Sequence, residues 1–169
     1  MLVSRKMPSP VGEITLVADE NALCFVGWGE SLNPHHHEVA QASPIETHPI
    51  LDEAIRQLTA YFQGELFTFN LPLNPGGTPF QQQAWRALLT IPYGQTVSYG
   101  EQARKINNPA AVRAIGGANG KNPIGIIIPC HRVIGANGSL TGYGGGLPAK
   151  SFLLEHERRF STSQMALFG

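Results

Sequence analysis

Hydrophobic and polar positions follow two different periods along the chain. In the first sixty residues, three short runs at 1–7, 13–18 and 22–28 are rich in β-branched or aromatic side chains. Pro8-Ser9-Pro10 and Asp19-Glu20-Asn21 separate them, so they predict three strands joined by tight turns. Residues 30–49 hold Pro34, Pro44, Pro49 and the run His35-His36-His37, which predicts loop or irregular structure. The period then lengthens. Leu51, Ala54, Ile55, Leu58, Tyr61 and Phe62 recur at helical spacing, with Asp52 and Glu53 in the first turn and Gly64 beyond the end. Acidic side chains suit a helix N-terminus and glycine suits its stop. Strands followed by a covering helix make a small α/β layer.

Residues 71–77 cluster helix and strand breakers, and a domain boundary is placed there: 1–70 first domain, 71–78 linker, 79–160 second domain, 161–169 tail. Thr78-Pro79 reads as an N-cap followed by proline at the first helical position, opening a helix to about Leu89 that buries Phe80, Trp85, Leu88 and Leu89. Ser98 can cap a helix over 99–106, Asn107-Asn108-Pro109 breaks it, and 110–119 forms another. Two short helices over such a turn suggest a helix-turn-helix. The second is odd for a packing helix: Ala110, Ala111, Ala114, Gly116, Gly117, Ala118 and Gly120 surround one long cation, Arg113. Such a smooth face suits close approach to a groove. The apolar run 124–128 reads as strand-like and leads to Cys130, Asn137-Gly138 signals a hairpin, 141–146 a flexible loop, and 148–160 an amphipathic helix with Phe152, Leu153 and His156 on one face.

Composition narrows the class. Of 169 residues, 42% are hydrophobic and 14% charged, which excludes a disordered chain. Two cysteines exclude a disulfide framework and a thiolate zinc cage. Consecutive histidines rarely converge on one ion, so Cys24 with His35-His36-His37 is read as no metal site. No apolar run reaches membrane-span length and residues 1–10 lack a signal pattern, so the chain is expected to be soluble and cytoplasmic. The net charge of zero hides a split: residues 1–78 carry three basic and nine acidic side chains, a balance of −6, and residues 79–169 the reverse, +6. The basic half points to an anionic partner, nucleic acid being the commonest. A salt-bridged pair of halves explains the split equally well.

Cys130 follows Pro129 and precedes His131. Proline disfavours helix before it, and an adjacent imidazole can lower a thiol's pKa or take its proton. A histidine base needs an orienting acceptor, and Glu155 or Glu157 can supply it. An inert buried cysteine is the competing reading.

The run Pro129-Cys130-His131-Arg132-Val133-Ile134 resembles the active-site signature of the O6-alkylguanine-DNA alkyltransferases, and the similarity extends from Thr78-Pro-Phe-Gln through Arg113-Ala-Ile-Gly-Gly-Ala-Asn to Leu154-Glu-His-Glu157. The resemblance implies an N-terminal α/β ribonuclease H-like domain and a mainly α C-terminal domain with a winged-helix-like helix-turn-helix. It implies direct repair of double-stranded DNA: an alkyl group moves irreversibly from O6 of guanine, with O4 of thymine as a further candidate donor, to the protein's own cysteine, once per molecule and without a cofactor. Cys130 matches the acceptor, and His131, through a water, and Glu157 the groups that ionise it. Arg113 matches the arginine that fills the space left by a base rotated out of the stack. Tyr99 matches the tyrosine that crowds the target phosphate and bonds the base at N3. Ala114 and Gly117 lie on the helix expected in the minor groove. Asn122, Tyr143, Gly144 and Lys150 match pocket positions, with the carbonyls of Cys130 and Val133 expected to read the guanine amine and the Gly144 N–H to face O6. Glycine at 144, where animal members often carry serine, leaves a smaller wall. A non-catalytic helix-turn-helix sensor or regulator, and a thiol hydrolase, are the rival functions. A monomer is expected. The final residues also resemble short peptides that insert into bacterial replication clamps, through Gln164, Leu167 and Phe168.

Overall fold

The computed structural model describes the backbone of residues 1–140 and 142–168, with their side chains except those of Glu30, Asn33 and 162–168. Thr141, in the glycine-rich loop, and the side chains of Gln164, Leu167 and Phe168 therefore lie outside the described residues.

The three expected strands form as β1 (Val3–Met7), β2 (Ile14–Ala18) and β3 (Leu23–Gly27), successively antiparallel, with Val3 opposite Ala18 and Thr15 opposite Gly27. The segment expected to be irregular is more ordered. It makes a 3₁₀ turn (Gly29–His35), a short helix α1 (His36–Gln41) and a two-residue strand β4 (Ser43–Pro44) parallel to β1, giving the order β3-β2-β1-β4. Pro44 is tolerated because β4 is an edge. The N–H groups of Ser43 and Ile45, either side of it, reach Leu2 and Ser4 carbonyls at 3.0 Å. Helix α2 (Pro49–Phe62) lays Leu51, Ala54, Leu58 and Tyr61, all fully buried, toward the sheet. β2 is buried along its whole length, as a central strand covered on both faces must be.

In the second half, α3 (Pro79–Leu88) and α4 (Tyr99–Lys105) each start with a capping box, Thr78 with Gln81 and Ser98 with Glu101. Leu89, expected in the core, is instead the half-exposed C-cap of α3. Asn107 turns the chain at φ 58°, a left-handed conformation that asparagine tolerates. A 3₁₀ turn (Pro109–Ala111) leads into α5 (Val112–Gly120). Strand β5 (Val97–Ser98) pairs in parallel with β6 (Val133–Ile134). The loop at Asn137-Gly138 closes through the Gly135 N–H on Ser139 O at 2.9 Å, but β6 takes its partner from β5 rather than across that turn. Helix α6 (Leu147–Phe168) continues beyond the expected end at Phe160.

The two halves share one hydrophobic core containing Leu16, Leu58 and Tyr61 from the first and Trp85, Ile115 and Leu153 from the second. The breaker-rich linker runs along the outer edge of β3: Leu23 N–H reaches Pro72 O and Asn74 N–H reaches Leu23 O, both at 2.8 Å. Farther along that edge, Val26 N–H meets Pro123 O and Gly125 N–H meets Val26 O, both at 2.9 Å. The run 124–128 is thus not a strand. Only Ile124 bridges to β3, and the rest coils through tight turns with Ile126 at φ 70°. Periodicity alone cannot separate a buried strand from buried coil whose polar groups find other partners. No ion pair between described residues joins the acidic half to the basic one.

Candidate functional site

The coiled run delivers Cys130, and one side chain holds its shape. Asn122 Nδ2 donates to Ile128 O at 2.8 Å and to Cys130 Sγ at 3.2 Å, while its Oδ1 accepts from Ile124 N–H at 3.0 Å. Ile126, a β-branched residue in left-handed geometry, is a strained position costing about 1–3 kcal/mol, and burial on the shared core holds it there. Cys130 opens a 3₁₀ turn (Cys130–Arg132) rather than ending a strand. That turn sends His131 and Arg132 inward to α6.

There they meet Glu157, whose side chain is 1% exposed. His131 Nε2 lies 2.7 Å from Glu157 Oε2. Arg132 donates through Nε to Oε1 at 2.8 Å and through Nη2 to Oε2 at 3.0 Å, and through Nη1 to Ile91 O at 2.6 Å. Gly94 N–H and the Tyr61 hydroxyl complete the carboxylate's shell at 3.2 and 2.7 Å. Glu155, the other candidate orienter, faces solvent and pairs with Arg158 at 2.6 Å. Burial alone would raise the Glu157 pKa, but His131 and Arg132 reverse that and hold it well below the usual carboxylate range. Burial pushes His131 down, with Glu157 opposing. It pushes the Cys130 thiol up, against the Asn122 hydrogen bond and the Lys150 charge. The resting site thus holds a thiol, a neutral imidazole and an ionised carboxylate. With Nε2 turned to Glu157, His131 is left Nδ1, which has no partner among the described residues.

Cys130 opens onto a narrow pocket bordered by Asn122, Tyr143 and Gly144. The Tyr143 hydroxyl is buried in electrostatic contact with the thiol but outside hydrogen-bond geometry. Val133 and Lys150, both buried, are not among the residues that line it; Lys150 Nζ donates to Val133 O at 2.6 Å. Val133 N–H in turn donates to Cys130 O. Both carbonyls expected to read a guanine amine are therefore already engaged, each with one lone pair remaining. The opposite wall comes from the N-terminal half through Phe25, Trp28 and Ser31. Trp28 Nε1 donates to Gly145 O at 3.2 Å, and a Cβ at Gly145 would lie 2.5 Å from the indole. Sequence reasoning missed this wall because the spacing of Phe25 and Trp28 reads as ordinary strand core.

The helical surface is positioned separately. Trp85 Nε1 of α3 donates to Ala118 O at 2.9 Å, and Gln102 and Asn119 exchange amide hydrogen bonds at 2.9 and 2.8 Å in the α4–α5 interface. Gln102 carried no signal in the sequence beyond being uncharged, and Asn119 entered only as the last residue of a run that resembles the family. Ile115, Ala118 and Asn119 face inward, leaving Arg113, Ala114 and Gly117 exposed. Arg113 makes no ion pair among the described residues. A Cβ at Gly116, Gly117 or Gly120 would meet nothing within 4 Å, so internal packing does not require these glycines. Tyr99, half-buried, is the first residue of α4. Cys24 sits near Asp19, and among the described residues no three metal-ligating side chains cluster.

Comparison with known proteins agrees with this architecture. The profile described as 6-O-methylguanine DNA methyltransferase, ribonuclease-like domain, matches residues 2–75, and that family's DNA binding domain matches residues 79–159. A methylated-DNA–protein-cysteine methyltransferase of Mycolicibacterium paratuberculosis is 46% identical over 168 residues, 99% of each chain. One from Methanosarcina acetivorans is 52% identical over 149 residues, 88% of this chain and 94% of the other. Among solved structures, the Mycobacterium tuberculosis O6-methylguanine methyltransferase has a TM-score of 0.85 at 46% identity over all of both chains. Mycobacterium tuberculosis OGT in complex with DNA has 0.84 at 48% identity over 93% of each. Matched in both halves and along nearly its whole length, the chain belongs to the 6-O-methylguanine DNA methyltransferase family.

Proposed function

We propose that this protein repairs alkylated DNA directly, by moving an alkyl group from O6 of guanine to Cys130. The observation that carries the reading is the thiol held by Asn122 in the lining of a pocket, beside a buried imidazole oriented by an ionised carboxylate. The Cys130 proton passes to His131 Nδ1 through a water, and Glu157 stabilises the imidazolium that forms. Sγ attacks the alkyl carbon; the C–S bond forms as the C–O6 bond breaks, and the electron pair leaves with guanine. Tyr99 polarises or protonates the base at N3. Net, the thiol proton ends on guanine and the protein keeps a thioether. No reductant readily reverses a thioether, so each molecule acts once, with no cofactor because the cysteine is the acceptor.

The target base is rotated out of the duplex, with Arg113 in its place and Ala114 and Gly117 against the minor groove. The exposed Gly117 and Gly120 of α5, with open space where a Cβ would stand, support that close approach. Readout in the minor groove is largely independent of sequence. Among the described residues no ion pair joins the halves, so exposed cations of the basic half such as Arg113 are free of the acidic half and suit phosphates. The protein is read as a cytoplasmic monomer, with Gln164, Leu167 and Phe168 as a contact for a replication clamp, for which the end of α6 would unwind. Among the described residues no helix is long and apolar enough to cross a membrane.

Incubation with a duplex holding one O6-methylguanine, followed by peptide mass analysis, tests the chemistry. One methyl group per protein on the peptide carrying Cys130 is expected, and Cys130→Ala should abolish transfer while retaining DNA binding. Repeated turnover with unmodified Cys130 would favour the hydrolase.

A further inference from the structure

Tyr61 belongs to the N-terminal half, yet α6 grips it at both ends. His156 Nε2 lies 2.7 Å from the Tyr61 carbonyl oxygen, and the Tyr61 hydroxyl donates to Glu157 Oε2 at 2.7 Å. The side chain is fully buried, its ring against Phe69, Tyr93 and His156. A phenylalanine would keep those ring contacts. A buried hydroxyl is costly unless bonded, and the partner of this one is the carboxylate that orients His131. The oxygen it reaches, Oε2, is the one 2.7 Å from His131 Nε2. A donor there draws charge away from the imidazole side, so Tyr61 and His131 compete for the same oxygen.

We infer that Tyr61 is a positioning residue for alkyl transfer: its hydroxyl limits how strongly Glu157 favours a proton on His131, keeping the imidazole neutral and able to receive the thiol proton of Cys130. The N-terminal half, which supplies no reacting atom, thereby sets the basicity of the site. His131 is faced by Glu157 and Lys150 from α6 and by its neighbour Arg132. Tyr61 is faced by Glu157 and His156 from α6, by Arg132, and by Tyr93. Glu157 is the single carboxylate in either set. Burial, then Glu157, holds the Tyr61 phenol well above its ordinary value, so it remains a donor throughout the working range.

The sign follows. Without the hydroxyl, Glu157 Oε2 favours the imidazolium more strongly and the His131 pKa rises. The base is then lost at a higher pH, so the acid limb of the transfer rate moves up. The inference rests on the alkyl-transfer reading, but an NMR titration of the His131 ring needs no DNA and reports the shift separately. In Tyr61→Phe, the limb and the His131 titration should both move up by about one pH unit, the scale of one hydrogen bond to a charged group. His156→Leu, which removes the grip on the backbone but not the hydroxyl, should lower stability and leave both where they were. Site-specific 3-fluorotyrosine at position 61 keeps ring and hydroxyl but donates more strongly, and should move both down. It gives a result even if Tyr61→Phe fails to fold. An unmoved His131 titration in folded Tyr61→Phe or in the fluorotyrosine protein, or an equal shift in His156→Leu, overturns the inference.

Discussion

Glu157 concentrates the energetics of the site in one residue. It is a buried charge that accepts from Arg132, His131, Tyr61 and Gly94, so it is paired as well as oriented. Replacing it by glutamine keeps the shape but leaves the buried Arg132 guanidinium without a counter-charge. Breaking one side of a buried ion pair costs roughly 3–5 kcal/mol. Glu157→Gln should therefore lower the urea midpoint and slow alkyl transfer together. Its pH dependence follows from the depressed Glu157 pKa. A carboxyl held below its unfolded value of about 4.3 contributes stability that is full above that pH and is lost as pH falls toward the folded value. Urea midpoints measured at decreasing pH should fall for the unaltered chain below about 4.3, and that component should be missing in Glu157→Gln. Parallel pH profiles would show that Glu157 is not the linked group. At this scale the sequence was legible where chemistry lies along the chain. Cys130, His131 and Arg132 are contiguous, and Glu157 follows at the end of a readable helix. It was illegible where chemistry crosses the fold, since a helical Tyr61 or a strand-end Trp28 shows only the periodicity of a core residue.

The helix α5 is built against its own stability. Glycine in a helix interior costs roughly 0.5–1 kcal/mol relative to alanine, and Gly117 is exposed with open space where a Cβ would stand. Gly117→Ala should therefore raise stability by roughly 0.5–1 kcal/mol. The same methyl group would stand between the helix and a groove, and DNA affinity should fall several-fold. Thermal unfolding and a binding titration on one variant read the two effects. A stability gain without a loss of binding would remove α5 from the DNA interface. Elements with local signals were legible: Thr78 and Ser98 cap their helices as their sequence contexts predict. Residues 29–44 were not, because prolines and consecutive histidines suggest irregularity, while a 3₁₀ turn and an edge strand accommodate Pro34 and Pro44 and the short helix α1 takes His36 and His37. The run 124–128 was misread for a different reason. Its hydrophobicity records burial, but Asn122 and the edge of β3 supply the hydrogen bonds a strand would otherwise need.

Across the whole molecule the two halves are distinct in charge and continuous in packing. The charge split is plain in the composition, yet its meaning needed the fold: ion pairs between described residues stay within each half. Among the described residues, what joins the halves is apolar, or polar but uncharged on the N-terminal side. Tyr61 reaches Glu157, Trp28 reaches the Gly145 carbonyl, the linker and the Cys130 loop extend the hydrogen bonding of β3, and one hydrophobic core spans both. The contrast with a domain pair held by a polar interface is testable, because relative motion and separate unfolding are the default for small polar interfaces, whereas a shared core favours one transition. The two tryptophans give one probe per half, Trp28 at the end of β3 and Trp85 in α3. Both are buried, at 4% and 3% exposure, so each should report loss of its surroundings. In Trp28→Phe and Trp85→Phe, each leaving a single indole, the remaining fluorescence should follow the same urea midpoint as circular dichroism of that variant. Neither variant should show a plateau between phases. Indole removal will lower both midpoints, so the comparison is made between probes within a variant rather than between variants. If in either protein the indole signal changes at a urea concentration where circular dichroism still reports native helix, the halves unfold separately. The core then does not couple them, and the N-terminal half's influence on Glu157 would depend on a joint that opens on its own.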